Sequence, residues 1–265
     1  GNLKLATAVN HIGEGIRSAV ETSIKDERLK ADLITNVSHD LKTPLTSIIN
    51  YVNLIKREQI DNEKIQGYVE ILDQKSQRLK TLTEDLVEAS KVSSGNINLI
   101  CGKINLVELL NQTIGEFAEK FEEKGLQVVA TFEQSGLYIW ADSRRIWRVV
   151  ENLFNNIYKY AMPNTRVYVD INVLHGEGTG QEKVEVLVKN ISAQPLNIDA
   201  DQLTERFIRG DVSRSTEGSG LGLSIAKDLT KLQGGDFQIY LDGDLFKVML
   251  TFPLWTPETA EQKEV

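Results

Sequence analysis

The sequence has one cysteine and no long apolar run. The lone Cys101 excludes an internal disulfide bond and is compatible with a reducing cytosol. We expect it to be a small apolar side chain, buried or half-buried. No stretch of roughly 18 apolar residues and no signal-peptide pattern occurs, so we expect no membrane insertion by this segment and a soluble chain. An anchor upstream of the segment stays compatible with this expectation.

Positive charge is also scarce. Thirty Lys and Arg residues stand against 38 Asp and Glu residues, which gives a net charge of -8. Without a basic field the chain has nothing to attract phosphate backbones or anionic lipid, so nucleic acid is not an expected partner. The length of 265 residues and the 41% hydrophobic content are typical of one or two globular domains with a sizeable core.

The first third of the chain carries a long helical repeat. Apolar residues recur in steps of three and four over 5–55 and again over 65–89, as in helices of coiled-coil type. A polar turn over 58–62 separates the two runs, and either Asp61 or Asn62 is suited to cap the second helix. Two antiparallel helices with one apolar seam each predict a hairpin. Two such chains bury both seams when they pack as a four-helix bundle, so we expect a homodimer.

A turn signal at 93–96 separates this hairpin from a mixed pattern. Helices are predicted over 106–124, 142–161, 201–207 and 221–232, and strands over 127–132, 137–140, 167–174 and 184–189 with a final pair around Gly243. These elements predict an α+β domain in which an antiparallel-rich mixed sheet carries helices on one face. The acidic tail over 257–265 is expected to be disordered.

His39 lies on the polar side of the first helix. On a wheel centred on Ile34, Leu41, Leu45 and Val52, His39 falls roughly 140° from the apolar seam and Thr43 roughly 180° from it. A helical histidine is ordinarily a core or capping residue, but this position favours an exposed nucleophile.

A neutral, exposed imidazole can attack phosphorus, and a neighbouring carboxylate, here Asp40, can accept its proton. Thr43 lies one turn further along the same face and is placed to orient a water for the reverse reaction. Pro44 then removes one backbone donor and loosens the helix after the nucleophile.

A second cluster of polar residues falls on the helix predicted over 142–161. Asn152, Asn156 and Lys159 share one flank, roughly 80° to 140° from the apolar stripe. Asparagine oxygens can ligate Mg²⁺ beside phosphate oxygens, and a lysine can neutralise phosphate charge. A solvated helix face is the ordinary alternative for any one of these residues.

A glycine-rich string, Gly218-Ser219-Gly220-Leu221-Gly222, opens the last predicted helix. Glycines allow backbone N–H groups to approach phosphate oxygens closely at the positive end of a helix. A string of this kind can also be a simple turn. The polar segment 209–217 precedes it, and there Arg209 and Arg214 are candidates for phosphate contact or for plain solvation.

These segments resemble the motifs of two-component sensor histidine kinases. The run 38–45, SHDLKTPL, resembles the H box of the HisKA type. The run 152–160, NLFNNIYKY, resembles the N box of the GHKL ATPases, with Ile157 where a small residue is usual. Residues 205–217 followed by 218–223 resemble the F box, ATP lid and G2 box. The similarity covers nearly the whole chain from 27 to 252.

This resemblance implies roles for individual residues. His39 would be the phosphoacceptor, Asp40 its acid/base partner and Thr43 the phosphatase residue. The residues that match the nucleotide motifs would hold ATP and Mg²⁺. Asn156 and Asn152 would bind the metal, Lys159 would contact phosphate, and Tyr160 would pack against adenine. The remaining ATP contacts would be Asn190, Arg209, Arg214, Gly218, Gly220 and Gly222. The expected architecture is a helical hairpin that forms a dimeric four-helix bundle, followed by an α/β-sandwich ATP-binding domain.

One motif departs from the family. The G1 box usually reads Asp-x-Gly-x-Gly, whereas this chain reads Asn190-Ile191-Ser192-Ala193-Gln194. The acidic residue expected to accept a hydrogen bond from the adenine amino group is therefore an asparagine, and both glycines are absent. An amide oxygen can still accept that bond, so we expect weaker ATP binding and not its loss.

The resemblance also sets the expected domains and function. We expect a signalling helix over 1–27, a dimerisation and phosphotransfer domain over 28–94, an ATP-binding domain over 95–256 and a disordered tail over 257–265. The expected activity is autophosphorylation by ATP and transfer to an aspartate of a response regulator, with phosphatase activity towards that regulator. The chain would be the cytoplasmic portion of a membrane receptor.

Two other functions compete with this one. The same fold could work mainly as a phosphatase or as a nucleotide-gated scaffold, because the G1 box is degenerate. A GHKL ATPase that is not a kinase, such as a chaperone or topoisomerase subunit, is disfavoured because those proteins lack the hairpin with His39.

Overall fold

The chain folds into two compact units, Gly1–Ile97 and Asn98–Val265. The computed structural model describes residues 34, 38, 41–58, 60–95, 97–132, 134–176, 181–196, 199–204 and 220–256. The first unit contains helix α1, over 41–57 with helical residues also at 34 and 38, and helix α2, Glu63–Ser93. The second contains, in chain order, β1 (Gly102–Asn105), α3 (Leu106–Glu123), β2 (Gln127–Phe132), β3 (Tyr138–Ala141), α4 (Ser143–Tyr160), β4 (Arg166–Leu174), β5 (Lys183–Ile191), a 3-10 turn (Gln202–Thr204), α5 (Gly222–Leu232), β6 (Asp236–Asp242) and β7 (Leu245–Pro253).

The helices of the first unit form the predicted hairpin. Asn62 caps α2, because its side-chain oxygen accepts the N–H groups of Lys64 (3.1 Å) and Ile65 (3.2 Å). An ion pair between Lys56 and Asp73, at 2.7 Å, joins α1 to α2 near the turn. Of the two candidate caps, Asp61 and Asn62, the structure therefore selects Asn62, and the two helices are held in antiparallel order.

Burial in the hairpin follows a seven-residue repeat. Buried positions include Ser38, Leu45 and Val52 on α1 and Ser76, Thr83 and Ser90 on α2. The hydroxyl groups of Ser76 and Thr83 donate to carbonyls of their own helix four residues earlier, at 2.7 Å and 2.8 Å. A second stripe, also with seven-residue spacing, stays 39% to 49% exposed: Leu41, Ile48, Ile55, Ile65, Leu72 and Leu79. The hairpin thus covers a stripe that mixes apolar and hydroxyl side chains, and leaves an apolar stripe open.

The second unit is built on a five-stranded mixed sheet. Its strand order is β2-β4-β5-β7-β6, with β2 and β4 parallel and all other neighbours antiparallel. This arrangement confirms the α+β fold with an antiparallel-rich sheet. A separate antiparallel pair, β1 with β3, was not predicted, since the four residues of β1 contain a single strong apolar side chain, Ile104.

One face of the sheet forms the core. Alternate residues of β4, β5 and β7 are buried, as the period-two geometry of strands requires: Val167, Val169, Ile171, Val184, Val186, Val188, Asn190, Phe246, Val248, Leu250 and Phe252. Phe117 and Phe121 of α3 and Phe154 of α4 pack their rings 5.4 to 5.7 Å apart. Asn190 is the one polar residue in the buried rows of these three strands, and it lies at the end of β5.

Several details differ from the sequence expectations. Cys101 is exposed, because it precedes β1 at the rim of the unit and is not part of the core. Leu41 is 48% exposed although the wheel places it at the seam centre, since the hairpin buries the neighbouring stripe. Of the helix predicted over 201–207, the described residues form only the short 3-10 turn.

Candidate nucleotide site

Helix α4 carries a row of polar side chains whose exposure rises along its length. Asp142 caps the helix by accepting the N–H groups of Arg144 (3.0 Å) and Arg145 (3.3 Å). From there Asn152 is 7% exposed, Asn156 is intermediate and Lys159 is exposed. The row therefore starts inside the protein and emerges at the C-terminal end of α4, where Tyr160 is also half-buried.

Helix α5 lies antiparallel to α4 and places its N-terminus beside Asn152. The main-chain N–H of Asp142 donates to the Gln233 side chain at the far end of α5, over 2.8 Å. At the near end, a Cβ added to Gly222 would lie 3.6 Å from Oδ1 of Asn152. Within the described residues no side chain caps the N-terminus of α5, and its first turn lies next to the Asn152 amide.

Two buried amide atoms in this unit have no hydrogen-bond partner within the described residues. One is Nδ2 of Asn152, and the other is Oδ1 of Asn190. Asn190 is 3% exposed, and its Nδ2 donates to the carbonyl of Ile191 at 3.2 Å. An unpaired buried polar atom costs roughly 1 to 3 kcal/mol. Such atoms are therefore suited to bind a ligand that supplies the missing partner.

The ends of α4 and β5 are tied to each other. Ala161 and Ser192 form an isolated antiparallel bridge, and the main-chain N–H of Met162 donates to Ile191 over 2.8 Å. The N–H of Ala193 in turn donates to the carbonyl of Tyr160 over 2.8 Å. The main chain of 191–193, inside the stretch that matches the G1 box, is thus held against the last turn of α4.

The structure describes only part of the predicted site. Asn152, Asn156, Lys159 and Tyr160 lie on α4, Asn190 lies beside its end, and Gly222 begins α5. Gly220 has a φ of +71°, a conformation that glycine adopts without strain. His39, Asp40, Arg209, Arg214 and Gly218 lie outside the described residues. Thr43 is exposed, as the wheel predicts.

Metal binding here would depend on amide oxygens. In the described ranges, no three His, Cys, Asp or Glu side chains gather as a metal-binding group. The Asn152 amide presents its unpaired nitrogen, which is a donor and matches a phosphate oxygen. A Mg²⁺ ion prefers oxygen ligands, so it would take the Oδ1 atom of the same amide, which lies near Gly222.

Two organising residues were missed by the sequence reasoning. Lys124, at the end of α3, donates from Nζ to the carbonyls of Tyr158 (2.6 Å) and Lys159 (3.1 Å). Burial lowers the pKa of Lys124 below its usual value. Gln233 holds the start of α4 from the end of α5. No local pattern reveals either role, because both bonds join residues more than 30 positions apart.

Comparison with known proteins adds to this geometry. Residues 29–95 match the family described as His Kinase A (phospho-acceptor) domain. Residues 141–258 match the family described as histidine kinase-, DNA gyrase B- and HSP90-like ATPase. The chain is 31% identical over 244 residues to the sensor protein VanSC of Enterococcus gallinarum, covering 88% of this chain and 65% of that protein. It is 28% identical to the sensor histidine kinase WalK of Bacillus subtilis, covering 91% of this chain and 38% of that protein.

Solved structures share the fold. The full-length ShkA structure in complex with AMPPNP superposes with a TM-score of 0.71 at 21% identity, over 85% of this chain and 46% of that one. The histidine kinase AdeS of Acinetobacter baumannii gives 0.54 at 16% identity, over 82% and 98%.

The chain spans between about a third and two thirds of the length of the two curated relatives. None of the helices in the described ranges has the length and apolar character that a membrane crossing requires. With one family model matching each compact unit and sensor kinases among its relatives, the chain belongs to the sensor histidine kinases of two-component systems.

Proposed function

We propose that this chain uses ATP to phosphorylate His39 and then transfers the phosphoryl group to an aspartate of a response regulator. The observation that best supports the nucleotide half is a pair of buried amide atoms, on Asn152 and Asn190, that have no partner in the described part of the chain. One is a donor on α4, in the side chain whose Oδ1 lies near Gly222, and the other is an acceptor at the end of β5. A nucleotide needs both, because its phosphates accept hydrogen bonds and its adenine amino group donates one.

The remaining contacts follow from the end of α4. Lys159 is exposed two turns beyond Asn152, where its ammonium would meet phosphate charge, and the ring of half-buried Tyr160 would pack against adenine. Asn156, assisted by Asn152, would hold a Mg²⁺ ion together with phosphate oxygens. When bound, that ion neutralises charge on the transferring phosphate. Arg209, Arg214 and the glycines Gly218, Gly220 and Gly222 would complete the phosphate cradle.

The phosphoryl transfer itself would occur at His39. The imidazole of His39 forms an N–P bond to the γ-phosphorus while the bond to the bridging oxygen breaks, ADP leaves, and Asp40 accepts the imidazole proton. A response-regulator aspartate then takes the phosphoryl group from the histidine. Thr43, which is exposed one turn after His39, would orient the water that hydrolyses the phosphorylated regulator.

The same proposal includes a homodimer. The stripe of Leu41, Ile48, Ile55, Ile65, Leu72 and Leu79 stays 39% to 49% exposed in the single chain. Its seven-residue spacing on both helices suits the seam of a coiled coil, so a second hairpin would cover it and form a four-helix bundle. We further propose that the chain is the cytoplasmic part of a membrane receptor.

One observation favours a second function. Asn190 replaces the acidic residue that usually binds adenine, and Ser192 and Gln194 replace the two glycines. Weak nucleotide binding would shift the balance towards phosphatase activity or a nucleotide-gated scaffold.

Incubation with γ-labelled ATP and Mg²⁺ separates the two functions. A kinase incorporates label that is stable to base and labile to acid, as a phosphoramidate is, and passes it to a regulator. The His39→Gln variant should lose this label and still bind nucleotide, because the nucleophile and the ATP site belong to different units. Retained acid-labile label in that variant would overturn the assignment of His39. No label in the wild type, with regulator dephosphorylation intact, would favour the phosphatase.

A further inference from the structure

The last turn of α4 ends in carbonyl groups that the helix itself does not satisfy. Helices leave their final four carbonyls without a partner from a following turn. Lys124 of the preceding helix supplies two of the missing donors through a single ammonium group. Its Nζ lies 2.6 Å from the carbonyl oxygen of Tyr158 and 3.1 Å from that of Lys159. This charged group therefore contacts the turn from which Lys159 and Tyr160 project.

The two flanking carbonyls are satisfied as well. The N–H of Ala161 donates to Ile157 over 2.8 Å, and the N–H of Ala193 donates to Tyr160 over 2.8 Å. All four terminal carbonyls of α4 are thus bonded, two by main-chain groups and two by Lys124. A cation at this position also opposes the negative end of the helix dipole.

Lys124 is itself held firmly. It follows α3, and the N–H of Leu126 returns to the carbonyl of Phe121 over 2.8 Å around Gly125, whose φ is +67°. The carbonyl of Lys124 accepts the N–H of Asn164 over 3.2 Å. The Lys124 side chain therefore starts from a fixed turn, and it reaches α4 from a partly desolvated position.

We propose that Lys124 is a positioning residue for nucleotide binding, which holds the last turn of α4 in α-helical geometry. This inference rests on the proposed function, in which Asn156, Lys159 and Tyr160 contact ATP and Mg²⁺. Without Lys124 the two carbonyls would have to find other donors, and the turn would fray or tighten towards a 3-10 helix. A 3-10 turn has 3.0 residues instead of 3.6, so each successive side chain would rotate by roughly 20°. Lys159 and Tyr160 would then no longer align with Asn156.

The test compares calorimetric titrations of the full chain with ATP and Mg²⁺. Lys124→Met removes both donors while keeping most of the side-chain volume, and we expect it to weaken ATP binding by about three- to tenfold. Lys124→Arg retains a donor pair and should restore most of the affinity. Lys120→Met is the matched control, since Lys120 lies one turn earlier on α3, over the ring of Phe117 at 4.8 Å. It should bind ATP as the wild type does.

A second comparison separates positioning from general stability. In a background of Lys159→Met and Tyr160→Ala, the side chains that Lys124 is proposed to align are gone, so Lys124→Met should cause little further loss. An equal loss in both backgrounds would overturn the inference, as would wild-type affinity in Lys124→Met alone. If Lys124→Met unfolds, Lys124→Gln is titrated in its place with the same expected direction. A wild-type chain that binds no nucleotide would overturn the proposed function and this inference with it.

Discussion

The main-chain N–H of Ala193 donates to the carbonyl of Tyr160 over 2.8 Å. This bond ties the chain that leaves β5 to the last turn of α4. Asn190 lies three residues earlier, buried, with its Oδ1 unpaired among the described residues. The bond therefore keeps the main chain that follows the proposed adenine acceptor close to the main chain of Tyr160.

Asn190→Asp should tighten ATP and ADP binding. A hydrogen bond to a charged group is worth roughly 1.5 to 3 kcal/mol and a neutral one roughly 0.5 to 1.5, so the gain should be on the order of 1 kcal/mol. That gain corresponds to a tenfold change in dissociation constant at most. Without nucleotide the buried carboxylate lacks a partner, so the variant should unfold at a lower temperature than the wild type.

Calorimetric titration of both variants with ATP measures this effect, and a purine nucleotide that lacks the 6-amino group is the control ligand. Its affinity should hardly change, because it has no proton to donate to residue 190. Unchanged or weaker ATP binding by Asn190→Asp would mean that Asn190 does not hold the adenine.

Thr43→Ala should separate the two activities proposed for α1. Thr43 is exposed and is not the nucleophile, so autophosphorylation should stay largely intact. Dephosphorylation of the regulator should slow by about tenfold or more, because the hydrolytic water loses its orienting hydroxyl. Thr46→Ala is the matched control, since the Thr46 hydroxyl donates to the carbonyl of Lys42 over 2.7 Å. Equal loss of both activities in Thr43→Ala would indicate distortion of the helix near Pro44.

Ile48→Glu should convert the proposed dimer into monomers. Ile48 is 44% exposed in the single chain and lies in the middle of the open apolar stripe. A glutamate buried there without a partner would cost on the order of 3 kcal/mol or more, which weakens association over a hundredfold. Sedimentation velocity over a range of concentrations measures the change. Ile100→Glu, at a site 79% exposed in the second unit, is the matched control and should stay dimeric.

The carboxyl group of Asp73 should titrate below its usual value. The hydrogen bond from Lys56, and then its charge, hold the pKa of Asp73 below 3.8. Because the folded pKa is lowered, the ion pair stabilises the hairpin above pH 3.8, and this contribution is lost as the pH falls through the folded pKa. NMR titration of the carboxyl carbon gives the midpoint directly.

Lys56→Met should raise that midpoint towards 3.8, whereas Lys64→Met should leave it in place. Added salt should raise it as well, since both side chains are in contact with solvent. A midpoint that does not respond to Lys56→Met would show that the pair does not form in solution.

Most elements of the fold could be predicted from the spacing of apolar residues. Steps of three and four predicted the long helices, and alternation of apolar and polar residues predicted the central strands. Both patterns arise because an element that buries one face has apolar residues at regular intervals. The cap of α2 could also be narrowed to Asp61 or Asn62 from the sequence, since capping is a local backbone requirement, and the structure uses Asn62. Strand β1 could not be predicted, because four residues are too few to show an alternation of apolar and polar side chains. Its partner strand lies about 35 positions away in the sequence.

The candidate site was also predicted only in part from the sequence. The residue types that suit phosphate, metal and adenine chemistry, from Asn152 to Gly222, could be named from the sequence because each lies in a short motif. Which of these residues lie next to one another was decided by tertiary packing alone. The antiparallel contact of α5 with α4 puts Gly222 beside Asn152, and Lys124 reaches the end of α4 across 34 positions. Contacts of that range depend on how whole helices pack, and no local pattern of residues encodes them.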